Sequence, residues 1–181
     1  MIEVEAKVSV DDFTPVREAL KKTYTSFIGY SRDDDMYFSH PCRDLKNTDE
    51  ALRIRNSSSE GYVITYKGPR FPGSTKSRVE VNVKIEDFNN FLQILKHLGF
   101  EFSAHVAKLR ETWKIRDVSI SLDDVEGLGK FVEVEVNVDN ALEAEDAEGI
   151  VNGFLQKLGL DGKPTIRESY LELITKNGVK S

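Results

Sequence analysis

Apolar and polar residues alternate strictly along several segments of this chain, and the alternation predicts β-strands. In the first segment, Ile2 to Val10, apolar side chains occupy the even positions and polar or charged ones the odd positions. The same period returns from Lys76 to Ile85 and from Lys130 to Val138. Turn residues separate further predicted strands, which are Tyr24–Tyr30, Asp35–Phe38, Ala51–Asn56, Tyr62–Lys67, Val118–Val125 and two within Glu101–Arg116.

Segments with helical periodicity follow the three most regular strands. Asp11 and Asp12 are the predicted N-caps of a first helix, whose apolar stripe contains Phe13, Val16 and Leu20. Each stripe must be buried against another surface, and the valine-rich faces of the strands supply one. The other predicted helices are Phe88–Leu98, Ile150–Leu158 and a short one around Glu168–Thr175.

These elements predict one domain, residues 1–181, with an α+β fold. If the helices cover the apolar outer faces of the strands, the charged faces point to the opposite side. A sheet of about eight strands can close into a barrel, which those charges would line. Unpaired buried charges cost more than folding can supply, so the interior is predicted to be a wet, ligand-binding tunnel. Residues 72–74 are predicted to lie in a mobile surface loop.

Composition narrows the class of protein. Charged residues make up 31% of the 181 residues, above the usual ~25%. The net charge of -6 argues against a general affinity for nucleic acid. Cys42 is the only cysteine, so no internal disulfide can form. The N-terminus does not resemble a signal peptide, and no apolar run approaches the ~20 residues that cross a bilayer. We therefore predict a cytoplasmic protein without nucleic-acid or membrane partners.

The charged faces carry the candidate chemistry. Glu3 and Glu5 share one face of a strand, roughly 7 Å apart, and Glu133 and Glu135 repeat the arrangement. Oxygen-only clusters suit Mg²⁺ or Mn²⁺ and not Zn²⁺, whereas guanidinium forks match phosphate oxygens. Carboxylates beside a ring of cations therefore favour polyphosphate chemistry. The other charged members of these faces are Glu80, Asp123, Lys7, Arg53, Arg55, Lys67, Arg78, Lys108 and Arg110.

Short motifs in this chain resemble those of the CYTH family, the triphosphate tunnel metalloenzymes. Residues 3–7, EVEAK, match the E-x-E-x-K signature that opens the family, and residues 35–38, DMYF, resemble its D-x-Y-F strand. Residues 41–55 and 65–69 look like the class IV adenylyl cyclase branch. Other matching segments follow in the family's order, at 77–80, 108–110, 122–123, 127–135 and 169–170. The resemblance covers about residues 2–175.

The resemblance implies a closed eight-stranded antiparallel β-barrel with amphipathic helices packed outside. It assigns divalent-metal binding chiefly to Glu3, Glu5, Glu133 and Glu135, with Glu80 and Asp123 as further metal or water contacts. It assigns triphosphate binding to Lys7, Arg53, Arg55, Lys67, Arg78, Lys108 and Arg110. Tyr37 and Lys67 occupy the positions of a Tyr–Lys pair that helps to activate water in some relatives. A homodimer would fit the family.

Three uses of such a tunnel remain open at this point. The first is hydrolysis of inorganic triphosphate or a nucleoside triphosphate, and the second is cyclisation of ATP to cyclic AMP and pyrophosphate. The third is non-catalytic binding of nucleotides or polyphosphate. Glu3 follows Met1 almost directly, whereas class IV cyclases generally carry a few residues before this motif, so little chain precedes it to close over a nucleoside. We therefore favour hydrolysis.

Overall fold

The computed structural model describes residues 1–72 and 76–177 and confirms the closed antiparallel barrel. The predicted loop at 72–74 lies outside these residues except for its first position. The strands are β1 (Ile2–Val10), β2 (Ser26–Ser39), β3 (Ala51–Ser57), β4 (Gly61–Arg70), β5 (Lys76–Ile85), β6 (Glu101–Ile115), β7 (Val118–Val125) and β8 (Gly129–Val138). The helices are α1 (Thr14–Lys22), α2 (Phe88–His97), α3 (Ala141–Lys157) and α4 (Tyr170–Asn177). The order around the barrel is β1-β5-β4-β3-β2-β6-β7-β8.

The three strands with the most regular alternation lie side by side. β1 pairs with β8 on one side and with β5 on the other, and both pairings are antiparallel. Glu5 is therefore opposite Glu135 in one neighbour and Lys76 in the other. Because cross-strand partners point to the same face of a sheet, the register brings charged side chains from three separate segments together inside the barrel.

The largest apolar core lies outside the barrel, where α1 and α3 pack against β1, β7 and β8. Val4, Val132, Leu20 and Val151 are all fully buried in this layer. Burying each such side chain contributes about 1.5–3 kcal/mol. The apolar face of β1 is thus covered by helices, and its charged face is left to line the interior.

Two smaller clusters complete the packing. α2 lies against β3 and β4, where Phe88 stacks on Tyr62 with 4.2 Å between ring centroids. α4 packs near β6, with Ile174 in a cluster that contains Val106 and Phe131. None of the described helices is long and apolar enough to span a membrane.

Two predicted interruptions of strands are wrong. β2 runs without a break through residues 31–34, because the polar groups of this stretch find partners across the ladder. Asp33 accepts a hydrogen bond from Ser57 Oγ at 2.7 Å, and the backbone of Arg32 pairs with Ser58. The two strands predicted between 101 and 116 are one strand, β6, which pairs with β2 along its length and with β7 over its second half.

The predicted helix starts also need correction. The N-cap of α1 is Phe13, which makes no side-chain cap, while Asp12 accepts a hydrogen bond from the Thr14 amide instead. α3 begins at Ala141, well before the predicted Ile150. α4 begins at Tyr170 behind a capping box, in which the Glu172 amide donates to Ser169 Oγ and the Ser169 amide donates to Glu172 Oε2.

The expectation that helices cover the whole apolar outside is wrong for β5. Val79, Val81 and Val83 point outward, and Val81 is 51% exposed. No described helix packs extensively on this strand, since α3 lies on β1 and β8 and α2 belongs with the cluster on β3 and β4. The outer face of the barrel therefore carries an exposed apolar stripe between the positions of α3 and α2.

Two matched substitutions test this difference between covered and bare strands. Val132→Thr places a hydroxyl in a fully buried apolar layer, so we expect it to lower the free energy of unfolding by about 1–3 kcal/mol. Val81→Thr should change it by no more than about 0.5 kcal/mol, because the side chain is half exposed. Urea denaturation of both variants measures the difference. Equal destabilisation would show that the β5 stripe is covered in solution.

Candidate active site

A cavity lined by many charged side chains runs through the barrel, and nearly all the predicted site residues line it. Its volume is about 1290 Å³, and its lining extends from residues 40–50 at one end to Glu60 and Lys84 at the other. Ligand pockets of roughly 300–1,000 Å³ hold drug-sized molecules, so this tunnel can admit a triphosphate together with an organic substituent. Every predicted site residue lines it except Asp123, which is fully buried behind the wall.

Three carboxylates gather on the side of the tunnel formed by β1 and β8. Glu3 and Glu5 face the interior from β1, and Glu135 faces it from the register position opposite Glu5. Burial, together with the charges of Glu3 and Glu5, raises the pKa of Glu135 to about 7. The nearest donor to Glu135 is the Asn137 amide at 2.6 Å, which is neutral. Negative charge is therefore in excess at this point of the tunnel.

On this side of the tunnel, lysines form ion pairs with the carboxylates of Glu3, Glu5 and Glu80. Lys67 Nζ lies 3.0 Å from Glu3 and 2.5 Å from Glu80, and Lys76 Nζ lies 2.8 Å from Glu5. Burial alone would lower the pKa of Lys67, but Glu3 and Glu80 raise it above its usual value. Lys67 is thus a permanent cation at neutral pH.

Lys7 joins the acidic side to Glu133. Its ammonium lies 3.3 Å from Glu133 and 3.7 Å from Glu5, and it is almost completely buried. Burial opposes the charge, yet Glu133 and Glu5 raise the pKa of Lys7 overall. The same ammonium also donates to the Glu168 carbonyl, which ties the segment before α4 to the tunnel.

The donor set fits a hard divalent cation, although the side chains do not already form a cage. Among the described residues, no three acidic, His or Cys side chains converge closely enough to hold an ion as they stand. The reason is visible in the ion pairs, because Lys67 and Lys76 occupy oxygens of Glu3 and Glu5. The donors are all carboxylate oxygens, which Mg²⁺ and Mn²⁺ prefer. A cation beside Glu135 would also relieve the repulsion that raises its pKa.

Cations dominate the opposite side of the tunnel. Arg55 is held by Asp35 through two hydrogen bonds of 2.6 and 2.8 Å. Lys108 lies near Arg110, and burial together with that neighbouring charge lowers the pKa of Lys108 to about 8. The pKa of Lys108 is therefore lowered even though Asp123 lies 3.0 Å from its ammonium group.

Two guanidinium groups on the tunnel lining, one on β3 and one on β5 next to β1, have buried donors to spare. Within residues 1–72 and 76–177, the Nε atoms of Arg53 and Arg78 have no hydrogen-bond acceptor. Their other nitrogens are used, since Arg53 donates to Thr65 and Arg78 donates to Asp49. A buried donor without an acceptor costs about 1–3 kcal/mol. An anion in the tunnel would satisfy both.

The predicted Tyr37–Lys67 pair lies on the tunnel lining, and both groups hold their protons. Burial, followed by the charge of Asp35, raises the pKa of the Tyr37 phenol, while Lys67 is close enough to act in the opposite direction. The phenol is therefore neutral and can donate a hydrogen bond, and the ammonium of Lys67 supplies positive charge. Their catalytic role stays a prediction.

The structure adds residues that sequence reasoning missed. Lys76 shares the inward face of β5 with Arg78, so its spacing of two could have revealed it. Asp35 shares the face of Tyr37 in the same way. Tyr170 lies in the matched segment 169–170, but no role was assigned to it, because its position depends on the C-terminal segment: its ring lies 4.2 Å from Lys7 Nζ, and its hydroxyl donates to Asp123 at 3.0 Å.

A family model described as the CYTH domain matches residues 1–170. The chain belongs to the CYTH family. A Methanocaldococcus jannaschii relative named "Putative adenylate cyclase" is 43% identical over 173 residues, which are 96% of this chain and 98% of the relative. The sequence resemblance and the barrel expected from it are thereby confirmed.

Solved structures of CYTH-like proteins share the fold. A Pyrococcus horikoshii protein is 37% identical, with a TM-score of 0.87 over 97% of this chain and 99% of that one. A Hippeastrum protein, described as an adenylyl cyclase-like protein with a dominant triphosphatase activity, has a TM-score of 0.69 over 99% and 96% of the two chains. At 18% identity, the second comparison shows a common fold alone.

Replacing Glu135 by a neutral side chain is predicted to change the stability of the protein in a pH-dependent way. The pKa of Glu135 is about 7 in the folded protein against 4.5 for the free side chain. The stability linked to its proton is therefore present below about pH 4.5 and lost as the pH rises through 7. Glu135→Gln should stabilise the metal-free protein at pH 8 by about 3 kcal/mol and have little effect at pH 4.5 or below.

Thermal denaturation with a chelator, at pH 8 and pH 4.5, measures this effect. Glu18→Gln is the matched control, because Glu18 is exposed on α1. The control should leave the melting temperature nearly unchanged at both pH values. A Glu135→Gln protein that melts no higher than wild type at pH 8 would contradict the crowding of carboxylates.

Proposed function

We propose that this CYTH protein is a divalent-metal-dependent triphosphatase that hydrolyses inorganic triphosphate, a nucleoside triphosphate, or both. The observation that carries the proposal is the pair of buried Nε donors on Arg53 and Arg78, which find no acceptor among the described residues in a tunnel lined by further cations. A triphosphate is a chain of anionic oxygens that can accept hydrogen bonds from several guanidinium groups at once. The tunnel thus offers what this anion requires.

Mg²⁺ or Mn²⁺ is the proposed cofactor, held by Glu3, Glu5 and Glu135 with Glu133 beside them. The shifted pKa of Glu135 supports this position, because a cation there would offset the repulsion among the three carboxylates. When bound, the ion would neutralise and orient the oxygens of the triphosphate. Lys67 and Lys76 would then exchange their carboxylate partners for phosphate oxygens.

The chain's own groups provide the remaining parts of the reaction. Lys7, Arg53 and Arg78 would grip the phosphates and stabilise the charge that develops as a P–O bond breaks. Tyr37 and Lys67 are both protonated, so they would orient the attacking water and stabilise charge, and neither would remove its proton. The proton of the attacking water would pass to an oxygen of the transferred phosphoryl group, which leaves as orthophosphate, while the other phosphates leave as the second product.

Cyclisation of ATP to cyclic AMP and pyrophosphate is the second candidate. The name of the Methanocaldococcus jannaschii relative and a cavity wide enough for a nucleoside favour it. Hydrolysis is preferred because it needs only the triphosphate that the charged side chains suit, whereas cyclisation also needs a nucleoside held in a fixed orientation. The Hippeastrum protein, described by its dominant triphosphatase activity, gives the same barrel a precedent for hydrolysis.

Product analysis distinguishes the two reactions. With Mg²⁺ or Mn²⁺, we expect orthophosphate from inorganic triphosphate, and ADP with orthophosphate from ATP. Glu5→Gln should lower the affinity for Mn²⁺ by at least about tenfold and abolish most turnover, whereas Glu18→Gln on α1 should keep both. Cyclic AMP with equimolar pyrophosphate would establish the cyclase instead. Binding of triphosphate without any product would leave a non-catalytic binding protein.

A further inference from the structure

Two buried aspartates stand in the same relation to the cations of the tunnel. Asp35 on β2 is the register partner of Arg55 on β3, and Asp123 on β7 is the register partner of Arg110 on β6. In each case, a second cation lies two residues before the arginine, on the same face of the same strand. Both aspartates are at most 1% exposed. The barrel thus contains the same arrangement twice.

Asp35 binds the guanidinium group of Arg55 through two hydrogen bonds. Its oxygens accept from Arg55 Nε at 2.6 Å and from Arg55 Nη2 at 2.8 Å, and Arg53 Nη1 lies 3.6 Å away. A bidentate carboxylate–guanidinium pair fixes the plane of the guanidinium as well as its position. The other terminal nitrogen, Nη1, lies 3.4 Å from Asp33, so two carboxylates from β2 set the orientation of Arg55.

Asp123 is engaged even more completely. It accepts from Arg110 Nε at 2.7 Å and Nη2 at 2.6 Å, from Lys108 Nζ at 3.0 Å and from the Tyr170 hydroxyl at 3.0 Å. Three of these contacts fall on Oδ2 and one on Oδ1, and Arg110 Nη2 also donates to Glu133 Oε2 at 2.7 Å. Asp123 is also the one predicted site residue that does not reach the cavity.

We propose that Asp35 and Asp123 are positioning residues, which orient Arg55 and Arg110 toward the triphosphate, and that Asp123 is not a metal ligand. This inference rests on the proposed binding of a triphosphate in the tunnel. Arginine has many rotamers, and a buried carboxylate that selects one of them removes that freedom before the anion arrives. The acidic side of the tunnel, with Glu3, Glu5 and Glu135, keeps the role of holding the ion.

Two possible roles of the aspartates, positioning the arginines and only neutralising their charge, predict opposite effects when an aspartate is replaced. Asp35→Asn or Asp123→Asn adds one unit of net positive charge to the tunnel. If the aspartates only neutralised their neighbours, either substitution would tighten the binding of an anion. If they position the arginines, binding weakens in spite of the added charge. A metal-ligand role for Asp123 predicts a third result, the loss of affinity for the ion itself.

The experiment compares full-length Asp35→Asn, Asp123→Asn and Glu5→Gln proteins, with Asp117→Asn in the exposed β6–β7 turn as control. Inorganic triphosphate is titrated calorimetrically in the presence of a chelator, and Mn²⁺ is titrated without triphosphate. For both aspartate variants, we expect triphosphate affinity to fall roughly tenfold and Mn²⁺ affinity to stay within about twofold of wild type. Tighter triphosphate binding, or Mn²⁺ affinity that falls as in Glu5→Gln, would overturn the proposal.

Arginine Nε–H signals in ¹H–¹⁵N spectra provide a readout that needs no ligand. The signals of Arg55 and Arg110 should be protected from exchange in wild type and lose protection in Asp35→Asn and Asp123→Asn, respectively. Unchanged protection would refute positioning. If wild type bound no triphosphate, the proposed function would be wrong. The spectra would still show whether the two aspartates position Arg55 and Arg110. If Asp123→Asn does not fold, the double variant Lys108→Met/Asp123→Asn can be used, because it has the net charge of wild type. Comparing it with Lys108→Met alone permits the same Mn²⁺ test.

Discussion

Charge pairing across neighbouring strands is the constraint on which this barrel depends. Lys7 is 1% exposed and keeps its charge only because Glu133 and Glu5 lie within ion-pair distance. An unpaired buried ion would cost several kcal/mol, which is comparable with the stability of a whole domain. The register is fixed for the same reason. A slip of one residue in β1 would turn Lys7 toward the helices and Val8 into the tunnel.

The pairing of opposite charges is incomplete at two places in the tunnel. The groups at those places indicate which kinds of ligand the tunnel suits. Glu135 is buried beside Glu3 and Glu5, and burial together with those two charges raises its pKa. Arg53 and Arg78 each bury a nitrogen without an acceptor among the described residues. A cation would stabilise the carboxylates around Glu135, and an anion would accept hydrogen bonds from the two arginine nitrogens. A metal-bound polyphosphate satisfies both at once, which neither a bare metal nor a neutral metabolite does.

The sequence allowed the barrel to be predicted where the signal is local. The period-two alternation of β1, β5 and β8 identifies both their faces, so Glu3, Lys7 and Glu135 could be placed inside from parity alone. Strand continuity in β2 and β6 could not be predicted, because it depends on partners such as Ser57 that are distant in the chain. The engagement of Asp123 could not be predicted either, since it needs the register of β6 and the position of Tyr170.

Hydrolysis and cyclisation place different demands on one and the same set of charges. Either reaction needs cations along the triphosphate, so the tunnel wall alone does not favour one phosphorus atom over another. If Tyr37 and Lys67 have the catalytic role proposed for them, what differs is which phosphorus lies beside them: the terminal one for hydrolysis, the one next to the nucleoside for cyclisation. Cyclisation also needs a nucleoside held with its 3′-hydroxyl in line. Charges in the middle of the tunnel cannot do this. The choice of reaction therefore rests with the tunnel ends, where residues 40–50 and α4 lie against the cavity.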